Sequence, residues 1–246
     1  MGRVIVITSG KGGTGQTTLT GGIGAALSRL GKRVLCLDAD VGLRNLDLAL
    51  GMTDVALMDF SDVVAGRCPL ARAAAPHPGL EGLFLLTAPL TLPPDFSGEE
   101  GFRGLLEEAR RDFDWVLIDA PSGLGSGFRL AASGADRAIV TATSDPASLR
   151  DAQRTVTELS GLSPVQLVVN RVRGRLLRRQ GATIDDAMDT VGLSLLGLVP
   201  EDIQVVLASG SGQALCQVTE KGAAKAYGNI ARRLEGENVP LMRRIW

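Results

Sequence analysis

The chain has 246 residues, 45% apolar but only 4% aromatic, with 26 basic against 27 acidic side chains for a net charge of -1. That composition excludes a disordered chain and calls for one substantial aliphatic core. The balanced charge excludes a global pull toward nucleic acid or anionic lipid, so any such role would need a local basic patch. Three cysteines, Cys36, Cys68 and Cys216, are too few and too widely spaced for a disulfide framework or a metal knuckle, which suits a reducing cytoplasm. Cys36 lies inside an apolar run and reads as a small core residue. The first apolar run is too short for a signal peptide, and no stretch approaches the ~20 apolar residues that span a bilayer.

In chain order, short Val/Ile/Leu runs at 4–7, 34–37, 83–86, 115–118, 138–142, 165–169 and 195–199 read as strands. They are nearly continuous apolar runs, as strands covered on both faces require. Helical patterns fall between them at 17–30, 102–112, 146–159 and 183–191. The alternation predicts an α/β fold with a doubly wound, mostly parallel sheet flanked by helices. Segments 67–82 and 87–101, rich in proline, are expected to be surface loops, with His77, the only histidine, a plain loop residue. Arg171, Arg173, Arg175, Arg178 and Arg179 form a basic run that reads as a solvated loop, with nucleic-acid contact as the alternative.

Gly10-Lys11-Gly12-Gly13-Thr14-Gly15-Gln16-Thr17 fits the phosphate-loop frame G-x-x-x-x-G-K-[ST], except that Gln16 stands at the lysine position. The context is right, since a strand precedes the loop and a helix follows it. Glycines let backbone N–H groups curl around an oxyanion, and the helix start adds unpaired donors and partial positive charge. The Thr17 hydroxyl is placed to bind Mg²⁺, with Thr18 following it. Gly10, Gly12 and Gly15 also satisfy the dinucleotide spacing, but Thr17-Thr18 and the acids described next favour a triphosphate.

The second strand ends in Asp38-Ala39-Asp40. Acids two apart on a strand share a face, and the C-terminal edge of a parallel sheet is where such folds bind ligands. Asp38 therefore suits the Mg²⁺ shell and Asp40 the orientation of an attacking water. A later apolar strand ends Asp119-Ala120-Pro121-Ser122-Gly123. A Ser-His-Asp hydrolase is unsupported, because the one histidine sits in a Pro-rich stretch.

These motifs together resemble the MinD/ParA deviant P-loop family, a P-loop NTPase group of the SIMIBI type. The loop K-G-G-x-G-[K]-T-T with its early lysine, and the run Val41-Gly42-Leu43-Arg44-Asn45-Leu46-Asp47, which resembles the MinD switch segment, carry the likeness from residue 3 to about 240. The resemblance implies ATP/ADP with Mg²⁺ as ligands, a homodimer on ATP binding, and Lys11 acting in trans on the γ-phosphate. It places Asp119 near Mg²⁺, Gly123 as a switch near the γ-phosphate, Asn170 on adenine, and Pro200 and Asp202 beside the base, with a helix N-cap as the alternative for Asp202. Gln16 departs from the family. Removing one charge-assisted hydrogen bond of about 1.5–3 kcal/mol predicts roughly 10- to 150-fold weaker binding and a larger loss in hydrolysis.

The same likeness implies a MinD-like switch, cytoplasmic and peripheral on the membrane's inner face, that positions the division septum by recruiting an inhibitor. Arg150 and Asp151 on the 146–159 helix would meet a MinC-like inhibitor and a MinE-like activator. Residues 1–240 would form the ATPase domain, and 241–246 a short amphipathic tip in which Leu241, Met242, Ile245 and Trp246 share one face toward the membrane. The alternatives are a ParA-type partition ATPase, which would bind DNA, and a noncatalytic nucleotide-binding pseudo-ATPase.

Overall fold

A computed structural model describes residues 1–53, 55 and 58–242. Eight strands form one sheet among these residues, β1 (Arg3–Thr8), β2 (Val34–Asp38), β3 (Ala75–Pro76), β4 (Leu83–Leu86), β5 (Trp115–Asp119), β6 (Arg137–Ala142), β7 (Val165–Val172) and β8 (Leu195–Pro200). Their order is β3-β4-β2-β5-β1-β6-β7-β8, parallel throughout except for β3, which runs antiparallel to β4 at the edge. The helices are α1 (Gln16–Arg29), α2 (Leu46–Leu50), α3 (Phe60–Val64), α4 (Leu70–Ala73), α5 (Gly98–Asp112), α6 (Ser126–Ala132), α7 (Pro146–Glu158), α8 (Gly174–Gln180), α9 (Ile184–Val191), α10 (Ile203–Gly210), α11 (Leu215–Val218) and α12 (Gly222–Leu234).

The apolar strand runs divide by the two-residue period of a strand. Val4 and Val6 of β1 join one core layer with Leu35, Leu37, Val116, Ile118, Phe60 and Phe102. Ile5 and Ile7 join the opposite layer with Leu19, Ile23, Cys36, Leu117 and Ile230. A chain with helices on both faces of a parallel sheet needs every strand residue apolar, and that is why the runs are continuous rather than alternating. Helix starts are set locally. The Asp145 carboxylate accepts from the Ser148 N–H ahead of Pro146, and Thr183 and Asp186 form a reciprocal capping box.

Several expectations need correction. Segment 67–82 is not a loop throughout, since it holds α4 and β3. His77 is buried within it, with Nε2 3.0 Å from the Leu50 carbonyl and Nδ1 accepting from the Gly79 N–H. Segment 87–101 ends inside α5, whose N-terminal turn begins at Gly98. The arginine run after Asn170 is solvent-exposed, as expected, but it is not a loop. It passes from β7 into α8, which buries Leu177 against the core. At the C-terminus, Leu241 is exposed and Met242 is half-buried against both core layers, neither of them in a helix. Ile245 and Trp246, the other half of the expected amphipathic face, lie outside the described residues.

Candidate functional site

Strand order builds the site. β1 lies between β5 and β6, and β5 lies between β1 and β2, so the C-terminal ends of β1, β2 and β5 are adjacent. The register sets Asp38 beside Asp119, and Asp119 beside Ile7, three residues before the glycine-rich loop opens at Gly10. The loop needs left-handed backbone at Gly13 (φ 82°) and Gly15 (φ 81°), which glycine adopts without strain. α1 then starts with no side-chain cap, so the N–H groups of its first turn are left for a ligand.

Asn170, buried at the end of β7, latches the loop from outside. Its Nδ2 donates to the carbonyls of Thr14 (2.9 Å) and Gly15 (3.2 Å), while its Oδ1 accepts from the Arg171 N–H (2.9 Å). Gly15 must be glycine for a second reason, since a Cβ there would lie 2.6 Å from Asn170 Nδ2. Gly10 is equally constrained, because its Cβ would lie 2.3 Å from the Asp151 carbonyl oxygen of α7. Among the described residues, the buried Thr14 hydroxyl has no hydrogen-bond partner.

Gln16 is turned inward. Its Oε1 accepts from the Ser9 hydroxyl (2.9 Å) and its Nε2 donates to Asp119 Oδ1 (2.9 Å) and to the Ala120 carbonyl. Both of its N–H groups are thereby engaged by acceptors. The Thr20 hydroxyl, one helical turn later, lies 3.1 Å from the same Asp119 oxygen.

Asp38 and Asp119 are both about 1% exposed. Asp38 accepts from the N–H groups of Asp40 (2.9 Å) and Leu46 (3.1 Å). Burial pushes its carboxyl up to about 6 against those two bonds. Burial, then the neighbouring Asp38, pushes Asp119 up to about 7, with hydrogen bonding from Gln16, Thr17 and Thr20 opposing. Two adjacent carboxyls that resist ionisation, next to the Thr17 hydroxyl, fit a divalent cation, whose charge would favour both anions. No cluster of three or more His, Cys, Asp or Glu suited to a metal occurs among the described residues. A cation here would complete its shell with phosphate oxygens and water, as Mg²⁺ commonly does.

Two cavities flank the loop. One of about 280 Å³ is lined by Lys11, Gly12, Gly13, Thr14, Asp145 and Arg171 among others, with Lys11 Nζ 3.8 Å from Asp145 Oδ1. The other, about 610 Å³, is bounded by Gly15, Thr18, Asn170, Pro200, Asp202 and Tyr227. Asp202 caps α10 through Gln204 and also accepts from the Ala223 N–H, so both of its oxygens are in use. Asp40 stands apart from these cavities and lines a separate apolar one of about 570 Å³ with Pro121 and Phe128. Gly123, at φ 87°, donates its N–H to the Ser9 carbonyl. Arg150 is exposed on α7, and Asp151 beside it pairs with Arg154 at 3.6 Å.

The structure thus gathers Gly10 through Thr18, Asp38, Asp119, Asn170, Pro200 and Asp202 around one loop. Ser9, Thr20, Asp145 and Tyr227 belong to it as well and were not singled out from sequence. Thr20 had a signal, four residues after Gln16 on the same helix face.

Comparison with known proteins agrees. Residues 5–215 match the family described as the CobQ/CobB/MinD/ParA nucleotide binding domain. The septum site-determining protein MinD of Bacillus subtilis is 40% identical over 98% of this chain and 92% of its own length. The chain belongs to the MinD family. MinD of Synechocystis is 37% identical over 98% of this chain and 92% of its own. Among solved structures, the Aquifex aeolicus MinC:MinD complex superposes with a TM-score of 0.88 at 36% identity, covering 98% of both chains. The Pyrococcus horikoshii MinD complexed with Mg-ADP gives a TM-score of 0.82 at 28% identity over 96% of both chains. The eight-stranded sheet is therefore the MinD-family P-loop fold.

Proposed function

We propose that this chain is a MinD-type ATP switch acting in placement of the division septum, with its hydrolytic step weakened at Gln16. The observation that supports it best is the uncapped start of α1 facing a glycine loop beside the buried pair Asp38 and Asp119. Thr17, Asp38 and Asp119 would hold Mg²⁺, the loop N–H groups would hold the ATP or ADP phosphates, and the cavity beside Asn170, Pro200 and Asp202 would take the base. Magnesium would neutralise charge on the phosphates. Asp40 would orient water and Gly123 would leave the Ser9 carbonyl as the switch moves. Lys11, half-exposed and paired with Asp145 at 3.8 Å, would reach a second copy across an ATP-bound dimer.

The relatives named for septum site determination, and the Aquifex complex with MinC, support a MinC-like inhibitor as partner. The exposed Arg150 face of α7 would receive it, and a MinE-like activator in turn. No helix among the described residues is long and apolar enough to cross a membrane. Attachment to the cytoplasmic face of the cell membrane would rest on the C-terminal tip through Leu241, Met242, Ile245 and Trp246, strengthened by pairing two copies in a dimer. Co-sedimentation with anionic liposomes should require residues 240–246, and equal binding by the truncated chain would remove that part of the reading.

The saturated amide of Gln16 favours one second reading, a protein that binds nucleotide and signals without turnover. The partition-type reading draws less support, because the relatives at 37–40% identity are named for septum site determination. Titration with Mg-ADP by calorimetry, followed by light scattering with Mg-ATP, tests the switch. Binding to both and dimerisation with ATP are expected, and absence of any nucleotide binding would overturn it.

A further inference from the structure

Position 16 supplies neither a positive charge nor a spare donor, since both N–H groups of its amide are committed to Asp119 and Ala120. A polyphosphate bound by backbone N–H groups alone would leave much of its charge uncompensated. The cavities beside the loop contain three cations, Lys11, Arg171 and Arg173. Lys11 lies toward Asp145, with Nζ 3.8 Å from its Oδ1. Arg173 is held on Glu201 through both Nε and Nη2. Arg171 alone of the three lines both cavities.

Arg171 is also placed with unusual care. Its backbone is left-handed at φ 52°, a conformation that non-glycine residues seldom hold without an external constraint. The constraint is visible. Its own N–H donates to Asn170 Oδ1, whose amide nitrogen in turn grips the loop. This turn aims the guanidinium back at the loop, where Nη1 meets the Gly13 carbonyl at 3.0 Å and Nη2 meets Glu201 at 3.2 Å. Among the described residues these bonds engage two of its five N–H groups, so the fork retains donors for an anion.

We infer that Arg171 supplies, within the same chain, the cation that the phosphate loop lacks at position 16, contacting the polyphosphate of a bound nucleotide from the Gly13 side. The inference rests on the nucleotide reading above and deepens it, naming Arg171 as the binding residue that offsets Gln16. Glu201 holds the guanidinium ready beside the loop.

The test is a double-mutant cycle read by Kd for a fluorescent ATP analogue with Mg²⁺, on the native chain, Arg171→Gln, Gln16→Lys and the double variant. Arg171→Gln should weaken binding roughly tenfold or more in the native background and less than about threefold alongside Gln16→Lys. Arg171→Lys should retain most of the affinity, and the native advantage over Arg171→Gln should shrink as salt is raised, which a merely structural effect would not do. Unfolding midpoints without nucleotide serve as the folding control; if Arg171→Gln unfolds, Arg171→Lys against Arg171→Met carries the comparison. Equal losses in both backgrounds, or no loss in either, overturn the assignment while leaving the nucleotide reading intact. Failure of all four proteins to bind would sink both.

Discussion

The side-chain nitrogen of Gln16 lies 2.9 Å from Oδ1 of Asp119, so the residue at the loop's lysine position is bonded to the acid expected to serve the metal. The amide orientation follows from chemistry, because Asp119 and the Ala120 carbonyl can both accept, and Ser9 offers a hydroxyl to the amide oxygen. A lysine could meet the acid but could not accept from Ser9. Gln16 is therefore an internal strut of the site. Gln16→Ala takes the amide donor from the buried Ala120 carbonyl and leaves the Ser9 hydroxyl only the Lys11 carbonyl, and should destabilise the chain by about 1–3 kcal/mol. Urea unfolding at pH 7 checks it, and an unchanged midpoint would mean the bonds contribute nothing.

The loop is braced from the other side by α7. Gly10 packs so closely on Asp151 that an added Cβ would sit 2.3 Å from its carbonyl oxygen. Gly10→Ala must push the loop or the helix, costing about 1–3 kcal/mol. Because Gly10 opens the phosphate loop, the variant should lose nucleotide affinity as well as stability. Parallel urea and fluorescent-nucleotide titrations would show both falling, whereas a loss of stability with intact affinity would separate the helix from the site.

A pH dependence follows from the far edge of β1. Asp136 accepts from the Val4 N–H at 2.9 Å and from Arg110 at 2.6 Å. Burial would raise its carboxyl, but the bonds from Arg110 and Val4 outweigh that and hold it below its ordinary 3.8. A depressed folded-state value stabilises the fold above the unfolded value, and that stability is lost as pH falls below it. The deficit of Asp136→Asn relative to the native chain should be full at pH 7 and shrink once pH drops below 3.8. A deficit independent of pH would show that the charge is irrelevant.

How much of this was legible in the sequence depends on the range of the interaction. The seven long strands could be read because burial on both faces makes each a continuous apolar run. β3 could not, since two residues including Pro76 carry no periodicity. His77 gave no sign of burial because its partners, Leu50 and Gly79, offer only backbone atoms. The arginine-rich stretch reads as a loop in the sequence because its charges hide an anchoring residue, Leu177, that seats α8 on the core. The phosphate loop and its acids were visible as motifs, and the anomaly at Gln16 with them. Its bond to Asp119 was not, because the two are 103 residues apart and meet only through strand order.

The most direct measurement is ATP turnover at saturating Mg-ATP for the native chain and for Gln16→Lys, with bound nucleotide quantified in both. The account predicts that both bind ATP while the variant hydrolyses it roughly 100-fold faster, the scale expected when one charged contact at the developing transition state is restored. Equal turnover by the two proteins would contradict it.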